Sequence, residues 1–551
     1  MQKHGTRVRA SRKWAGAAGL AALAIALTGC VPLQYPEAQG PRTDVTEAPS
    51  AGQSMREGGD LVMALSSEPD KLDPTTSTSL YTRFVMNAMC EKLYDIDAQG
   101  QIVPQLATEL PEISADGLRV TIPVRTGATF SDGTPFDADA VRATLDRNLT
   151  LEGSGRKTEL GPIERVTAPD AETVVVEYAT PFAPLTAALA DRAGMILSPK
   201  AIADESVAFA DNPSCVGAFK FVERIPQTSI KLEKDPNYYA ADEVHLDTIT
   251  YRIMGDANIR AANLRSGDVH VADAISPQDA DALMLERDIE VLQTGSLGYQ
   301  GLTVNIGNTN GTGEPVVQRD GPLASDPRVR QALTMSIDRE ALVNSVFNNW
   351  YDPACSAISP NSPFATELSN ECPEFDPEGA RALLEEAGVD IPLTVDLKVA
   401  NSPDALRYSQ ALQASVRAGG FNLRIEPVEY STLLDMQKQG KFDLMQIGWS
   451  GRIDPHGNLA TFLTTGAGNN DGGYNSAEMD ELLTRAAQLS DIDERAALYG
   501  QAVELAHRDL PLIYTYRQRN ITAHTVDVAG VSTFTDGVVR LSRAGFVADK
   551  D

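Results

Sequence analysis

"LTVDLKVANSPDALRYSQALQASVRAGGFNLRIEPVEYSTLLDMQKQGKFDLMQIGW" runs from Leu393 to Trp449. Three segments read as strands, "LTVDLKVA", "FNLRIEPVEY" and "KFDLMQIGW", the last with Phe442, Leu444 and Ile447 entering a core. Between them "DALRYSQALQASVRAGG" reads as a helix ended by Gly419 and Gly420, and "STLLDMQKQG" as a second helix. Strands that alternate with helices imply parallel pairing, because each helix carries the chain back to start the next strand in the same direction.

The same α/β pattern extends outward. From "YQGLTVNI" (Tyr299–Ile306) the chain passes through helical "DPRVRQALTMSIDREALVNSVF" (Asp326–Phe347) and "DPEGARALLEEAGV" (Asp376–Val389). Beyond Trp449 come helices in "SAEMDELLTRAAQLSD" and "IDERAALYGQAVELAHRD", then one late strand, "LPLIYTYRQRNITAH" (Leu510–His524). The N-terminal half reads differently. A strand at Leu61–Leu65 and a helix from Leu80 precede hairpins, a helix capped by Asp137, an edge-like strand in "PDAETVVVEYATP" and a meander over Val216–Tyr239. "DIDAQGQIVPQL" (Asp95–Leu106) places Asp95, Asp97 and Gln99 like a calcium loop. Its twelfth residue is Leu106, where a bidentate Glu is needed, so the reading is a hairpin turn on Gln99-Gly100.

The first 30 residues bear on the compartment. "MQKHGTRVRASRK" carries five Lys or Arg and no acid, and "WAGAAGLAALAIALT" is shorter than a spanning helix of roughly 20 residues. "LTGC" (Leu27–Cys30) resembles the lipobox of bacterial lipoproteins, in which the Cys becomes the lipidated first residue. "SRKW" resembles a twin-arginine signal with Lys13 at the second Arg, which leaves the export route open. Val31–Ser54, without apolar periodicity and rich in Pro, Ala, Gly, Ser and Thr, is expected to be a disordered tether. Removing residues 1–29 leaves 42 Lys plus Arg against 76 Asp plus Glu, a net of −34. Such a chain repels nucleic acid and gains nothing from an anionic bilayer.

Besides Cys30, four cysteines remain: Cys90, Cys215, Cys355 and Cys372. In an oxidising compartment an even count implies two disulfides, with three possible pairings. Cys355 and Cys372 flank a Pro/Ser/Asn-rich loop that a local bridge would staple, leaving Cys90 with Cys215. No CxxC spacing exists, so a zinc site has no support, and no metal or other cofactor is expected. There is no GxSxG, HExxH or GxxxxGK[ST], and the six His residues (4, 245, 270, 456, 507 and 524) show no i,i+4 pairing. Enzymatic function is not expected; a membrane-tethered hydrolase is the alternative from another class.

The order and spacing of "SSEPDKLDP", "LYDIDAQGQIVPQLA", "FSDGTPFDADAV", "DPRVRQALTMSIDREALV", "KFDLMQIGWSGRIDP" and "PLIYTYRQ" resemble the bacterial extracellular solute-binding proteins of family 5, the dipeptide-, oligopeptide- and nickel-binding components of ABC importers. The resemblance covers roughly Gly58 to His524. It implies a two-lobe, periplasmic-binding-protein-like α/β clamp of type II with an enlarged first lobe. The expected divisions are a signal peptide (1–29), lipidated Cys30 and tether (30–54), and lobe I (55–300) with an inserted subdomain at about 100–210. Lobe II would be 301–508, and 509–551 would return to lobe I, with strands near Ser296–Asn305 and Arg508–Tyr516 crossing between lobes. The implied partners are a small solute, peptide or peptide-like, an ABC permease with its cytoplasmic ATPase, and the membrane through the lipid anchor. The chain would act extracytoplasmically, as a monomer.

The resemblance also implies ligand-binding positions at Ser66, Ser67, Glu68, Ser296, Tyr299, Asn305, Trp449, Ser450, Gly451, Arg452 and Asp454. In peptide-binding members the segment matching "GWSGRIDP" faces the cleft and commonly carries, three residues after the Trp, an Asp that takes the peptide ammonium. Here that residue is Arg452. The expectation is a cleft-facing Arg452 that selects a carboxylate or phosphate, and so a non-peptide anionic solute or metal chelate as an alternative ligand. Asp454 precedes Pro455, which favours a helix cap over ligand contact. Trp449, between glycines, is expected to form a cleft wall.

Overall fold

The computed structural model describes residues 42–204 and 206–548; the leader, Cys30 and the first part of the expected tether lie outside them. The α/β stretch forms as read. Leu393–Ala400 pairs in parallel with Phe421–Val428 along its whole length, and in parallel with Leu444–Trp449 on its other side. The intervening helices are Pro403–Arg417 and Tyr430–Lys438. Ser402 opens the first by accepting from the Ala405 amide at 3.3 Å, with Pro403 in the first turn where no amide is needed. Its Tyr408, Leu412 and Val416 recur at helical spacing and are buried against the sheet.

These strands belong to a six-stranded sheet that continues through Tyr299–Val304, Leu512–Arg517 and the short Asp352–Pro353, all antiparallel. A seven-stranded sheet forms the other lobe, in the order Ile289–Gly295, Arg519–Thr525, Val271–Ala272, Asp60–Leu65, Thr248–Ile253, Ser229–Lys234, Phe219–Ile225. A four-stranded antiparallel sheet within residues 112–178 packs against the helix Ala138–Thr150, and Asp137 caps that helix, accepting from Ala140 N at 3.0 Å. Asp97 closes the Gln99-Gly100 turn of a hairpin, accepting from the Gln99 and Gln101 amides at 2.9 and 2.8 Å.

Four expectations need correction. The late strand read as continuous over Leu510–His524 is two strands in different sheets, broken at Gln518. The return to lobe I therefore falls at Gln518 and not at 509, since Leu512–Arg517 still pairs with Tyr299–Val304. The polar run Arg517–Asn520 interrupts the apolar pattern at the break, but both halves remain strands, and the pattern does not tell that they join different sheets. Thr173–Tyr178, read as edge-like, is an inner strand, paired on both sides. The last part of the tether is folded onto lobe I: Val45 and Gln293 exchange backbone hydrogen bonds at 2.7 and 2.9 Å, and Ala48 and Ser50 are buried. That segment satisfies its backbone groups on a sheet edge, and so needs no periodicity of its own.

Among the described residues the chain thus crosses between these two sheets twice, at Ser296–Gly298 and at Gln518. Arg517, buried at the second crossing, donates to the Leu297 and Gly298 carbonyls of the first, and to the Ser356 and Ile358 carbonyls at 3.1 Å. Gln300 Nε2 donates to Gln518 Oε1 at 3.2 Å, tying one crossing to the other. Cys90 is bonded to Cys215 in lobe I, and Cys355 to Cys372 in lobe II.

Candidate functional site: a cavity between the lobes

The cavity between the two sheets has a volume of about 590 Å³. Its walls follow from the strand directions. Ser66–Glu68 follow the strand Asp60–Leu65, Gly255 and Asp256 follow Thr248–Ile253, and Asp273–Pro277 follow Val271–Ala272. From lobe II come Asn401–Ala405 after Leu393–Ala400, Glu429 and Tyr430 after Phe421–Val428, and Ser450 after Leu444–Trp449. Each strand ends there, and the backbone turns toward a helix, so side chains of the turn project into the crevice.

Aromatic rings come from both lobes. Tyr81, in the first turn of the helix Leu80–Met89, meets Tyr430 of lobe II edge-on with ring centroids 5.7 Å apart. Tyr351 and Tyr516 stack with an interplanar angle of 3°. The charged groups of the wall are mostly held by the protein itself. Glu68 accepts from Arg224 at 2.7 Å and from the Gln227 amide at 2.9 Å. Asp273 accepts from Ser66 N at 2.8 Å and Ser66 Oγ at 2.7 Å, and burial, only partly offset by Arg260, raises its carboxyl above the usual range. Arg260 donates to the carbonyls of Met254 at 2.7 Å and Asp273 at 3.0 Å. Asp404 and Arg407 pair at 2.7 Å.

Of the positions expected from the resemblance, the structure brings Ser66, Ser67, Glu68, Trp449 and Ser450 to this cavity. Trp449 is rooted by its register opposite Tyr299, and its Nε1 donates to Asn458 Oδ1 at 3.0 Å. The others lie elsewhere. Ser296 Oγ accepts from Gly298 N at 2.9 Å and shapes the first crossing. Tyr299 lines a small chamber of about 50 Å³ that shares Trp449 with the cavity, its buried hydroxyl without a hydrogen-bond partner among the described residues. Asn305 Nδ2 donates to the carbonyls of Asn308, Gly440 and Phe442 and pins a buried loop. Gly451 has φ +85°, and a Cβ there would lie 2.3 Å from the Leu297 carbonyl carbon, so its role is close backbone approach. Asp454 Oδ1 accepts from His456 N and Arg495 Nη2, both at 2.9 Å; it holds the start of the helix His456–Leu463 and does not line the cavity.

Arg452 corrects the sharpest expectation. It is buried and absent from the cavity wall; its Nε lies 2.7 Å from Asp191 Oδ2 and its Nη2 3.6 Å from Glu159 Oε1. Its guanidinium carbon sits 4.1 Å from the centroid of the Trp449 ring. Burial lowers the Arg452 guanidinium to about 10, with Asp191 and Glu159 opposing the shift. The cation that the sequence offers to a ligand is spent on acids more than 250 positions earlier, which no local pattern could reveal. Tyr81, Tyr351, Tyr430, Gln446 and Tyr516 line the cavity without having been expected. For Tyr430 the usable signal was its place just after a parallel strand.

Two α/β lobes joined by two crossings enclose a walled cavity in the size range of small-molecule sites. The chain belongs to the bacterial extracellular solute-binding proteins of family 5, whose middle-region model matches residues 101–470. Over 489 residues it is 27% identical to the glutathione-binding protein GsiB of Pectobacterium atrosepticum, covering 87% of this chain and 92% of that one. The structure of the binding protein AgaA from A. tumefacien R10, in complex with agropinic acid, aligns with a TM-score of 0.78 at 25% identity, over 89% of this chain and 99% of AgaA. The dipeptide-binding protein of Pseudoalteromonas sp. SM9913, in complex with Met-Leu, aligns with a TM-score of 0.80 at 23% identity, over 89% of this chain and 100% of the other, and shares the fold. These relatives are named as binding proteins, one for glutathione and one for a dipeptide.

Proposed function

We propose that this protein captures a peptide or peptide-like solute between its lobes and delivers it to an ABC permease, tethered outside the cytoplasm by a lipid on Cys30. The observation that carries the reading is the cavity itself. At about 590 Å³ it lies within the size range of small-molecule sites, and both lobes supply its walls. Tyr81, Tyr430 and Trp449 offer apolar faces with polar edges, while Gln300, Asn401 and Gln446 offer amide groups that match peptide-like N–H and C=O. The glutathione relative, and the agropinic acid in AgaA, support a small amide- and carboxyl-bearing solute. Asp404 and Arg407, a half-exposed pair on one wall, could meet the ends of a zwitterion.

The test is mass spectrometry of compounds that co-purify with the protein from its native host. Calorimetry follows with the recovered compound, with di- and tripeptides including glutathione, and with a sugar-amino-acid conjugate. A peptide-like compound bound at micromolar or tighter Kd is expected. Binding of an inorganic anion or a metal complex in its place would overturn the peptide reading, and catalytic turnover would overturn the binding-protein reading.

A further inference from the structure

Beside the cavity, the lobes meet through a buried cluster of charges that does not itself line the cavity. Lobe I contributes Asp191, Glu159 and Arg83; lobe II contributes Arg452 from the loop after Trp449. The two oxygens of Asp191 are divided between the lobes, Oδ1 to Arg83 Nε at 2.9 Å and Oδ2 to Arg452 Nε at 2.7 Å. The Arg452 contact is close, yet its N–H is poorly aligned for a hydrogen bond, so its attraction is Coulombic. Arg452 Nη1 also donates to its neighbour's Gly451 carbonyl at 2.8 Å, which fixes the side chain before it reaches across. Around this pair Ala183 N donates to Ala487 O across the lobes at 2.8 Å, and Phe182 meets His456 edge-on at 5.5 Å.

Separating the lobes would leave neither half stranded. Asp191 would keep Arg83 within lobe I, and Arg452 would enter water. A buried pair whose partners each regain hydration on opening contributes only its surplus over desolvation, which suits a reversible contact. The same guanidinium lies over the Trp449 indole, so docking Arg452 on Asp191 also fixes a cavity wall.

We infer that Arg452 is a positioning residue, a latch by which lobe II docks on Asp191 and Glu159 when the clamp closes, holding Trp449 in place without contacting the solute. The inference rests on the clamp reading above, but its test needs no solute. Amide hydrogen exchange of the full chain, free of ligand, reads the Ala183 amide that bridges the lobes. Arg452→Met keeps the length over Trp449 and removes the charge; it is expected to speed Ala183 exchange at least tenfold, while amides of the inner strands Thr248–Ile253 and Leu393–Ala400 hold their rates. Asp191→Asn is expected to do the same, Arg452→Lys to restore part of the protection, and the Arg452→Met/Asp191→Asn double variant to exceed neither single change by more than about twofold. Unchanged Ala183 exchange in Arg452→Met, additive effects in the double variant, or an Ala183 amide already unprotected in the wild type would each overturn the latch. If Arg452→Met also speeds the inner strands, its effect is global unfolding, and Arg452→Lys against Asp191→Asn decides by the same Ala183 readout. These rates are read without solute, so failure of the latch and failure of the proposed solute class are distinguishable.

Discussion

The two ends of the interlobe contact use the same elements in opposite ways. The helix Leu80–Met89 turns Tyr81 and Phe84 to the cavity and Arg83 to the ion cluster. The strand Leu444–Trp449 ends with Trp449 and Ser450 at the cavity and, two residues on, Arg452 at Asp191. One end leaves space and aromatic edges for a ligand; the other fills the space with paired charge. The lesson is that a conspicuous charged residue beside a binding site can belong to closure and not to recognition, and the partner decides which.

The largest expected effect touches both ends together. Cys90 stands directly after the helix that serves both, and its bond to Cys215 closes a segment of 125 residues. Chain entropy assigns such a loop about 4–5 kcal/mol. Denaturant unfolding of Cys90→Ala/Cys215→Ala should show a loss of that order, larger than the roughly 3 kcal/mol expected for the 17-residue separation of Cys355–Cys372. Equal losses for the two would remove the special standing of the helix.

Next is charge reversal at the filled end. Arg452→Asp would set a third carboxylate against Asp191 and Glu159, costing the closed state about 3–5 kcal/mol. Calorimetry with the co-purified solute should then show affinity at least a hundredfold weaker. Affinity within threefold of wild type would return Arg452 to the surface of the problem.

Acid should loosen the same end. His456, buried against Phe182, is lowered to about 4 by burial, with Arg495 adding to the shift and Asp454 opposing it. Its native pKa lies below its unfolded value near 6.5, so between the two the unfolded chain binds the extra proton. Stability is therefore full above about pH 6.5 and falls as pH drops toward 4, by roughly 3 kcal/mol at most from this group. Thermal melts across that window should show the loss, and His456→Gln should flatten it. A wild-type profile no steeper than that of His456→Gln would clear His456 of any role.

The smallest effect belongs to the open end. Tyr430→Ala removes one half of the ring pair across the cavity and should cost about 1–3 kcal/mol of solute affinity. Ala183 exchange should not change. If it speeds as much as in Arg452→Met, the two ends are not separable and the comparison fails.

How much could be read beforehand follows from the range of each interaction. The parallel strands over Leu393–Trp449, the Asp137 cap and the Gln99-Gly100 turn are local, set by periodicity, by a side chain reaching three residues on, and by backbone geometry, and so the sequence determined them. The cysteines narrowed to one arrangement because one pair flanked a loop. Three features had no local trace. The break at Gln518 assigns the two halves of a segment read as one strand to two sheets. The packed residues near Val45 borrow hydrogen bonds from a distant strand. Arg452 meets its acids only when two lobes far apart in the chain come together. A pattern of a few residues reports which face is apolar and where a helix begins. It cannot report which buried charge finds which partner, because that pairing depends on how the desolvated surfaces of two separately built lobes are brought face to face, and only the tertiary structure decided it.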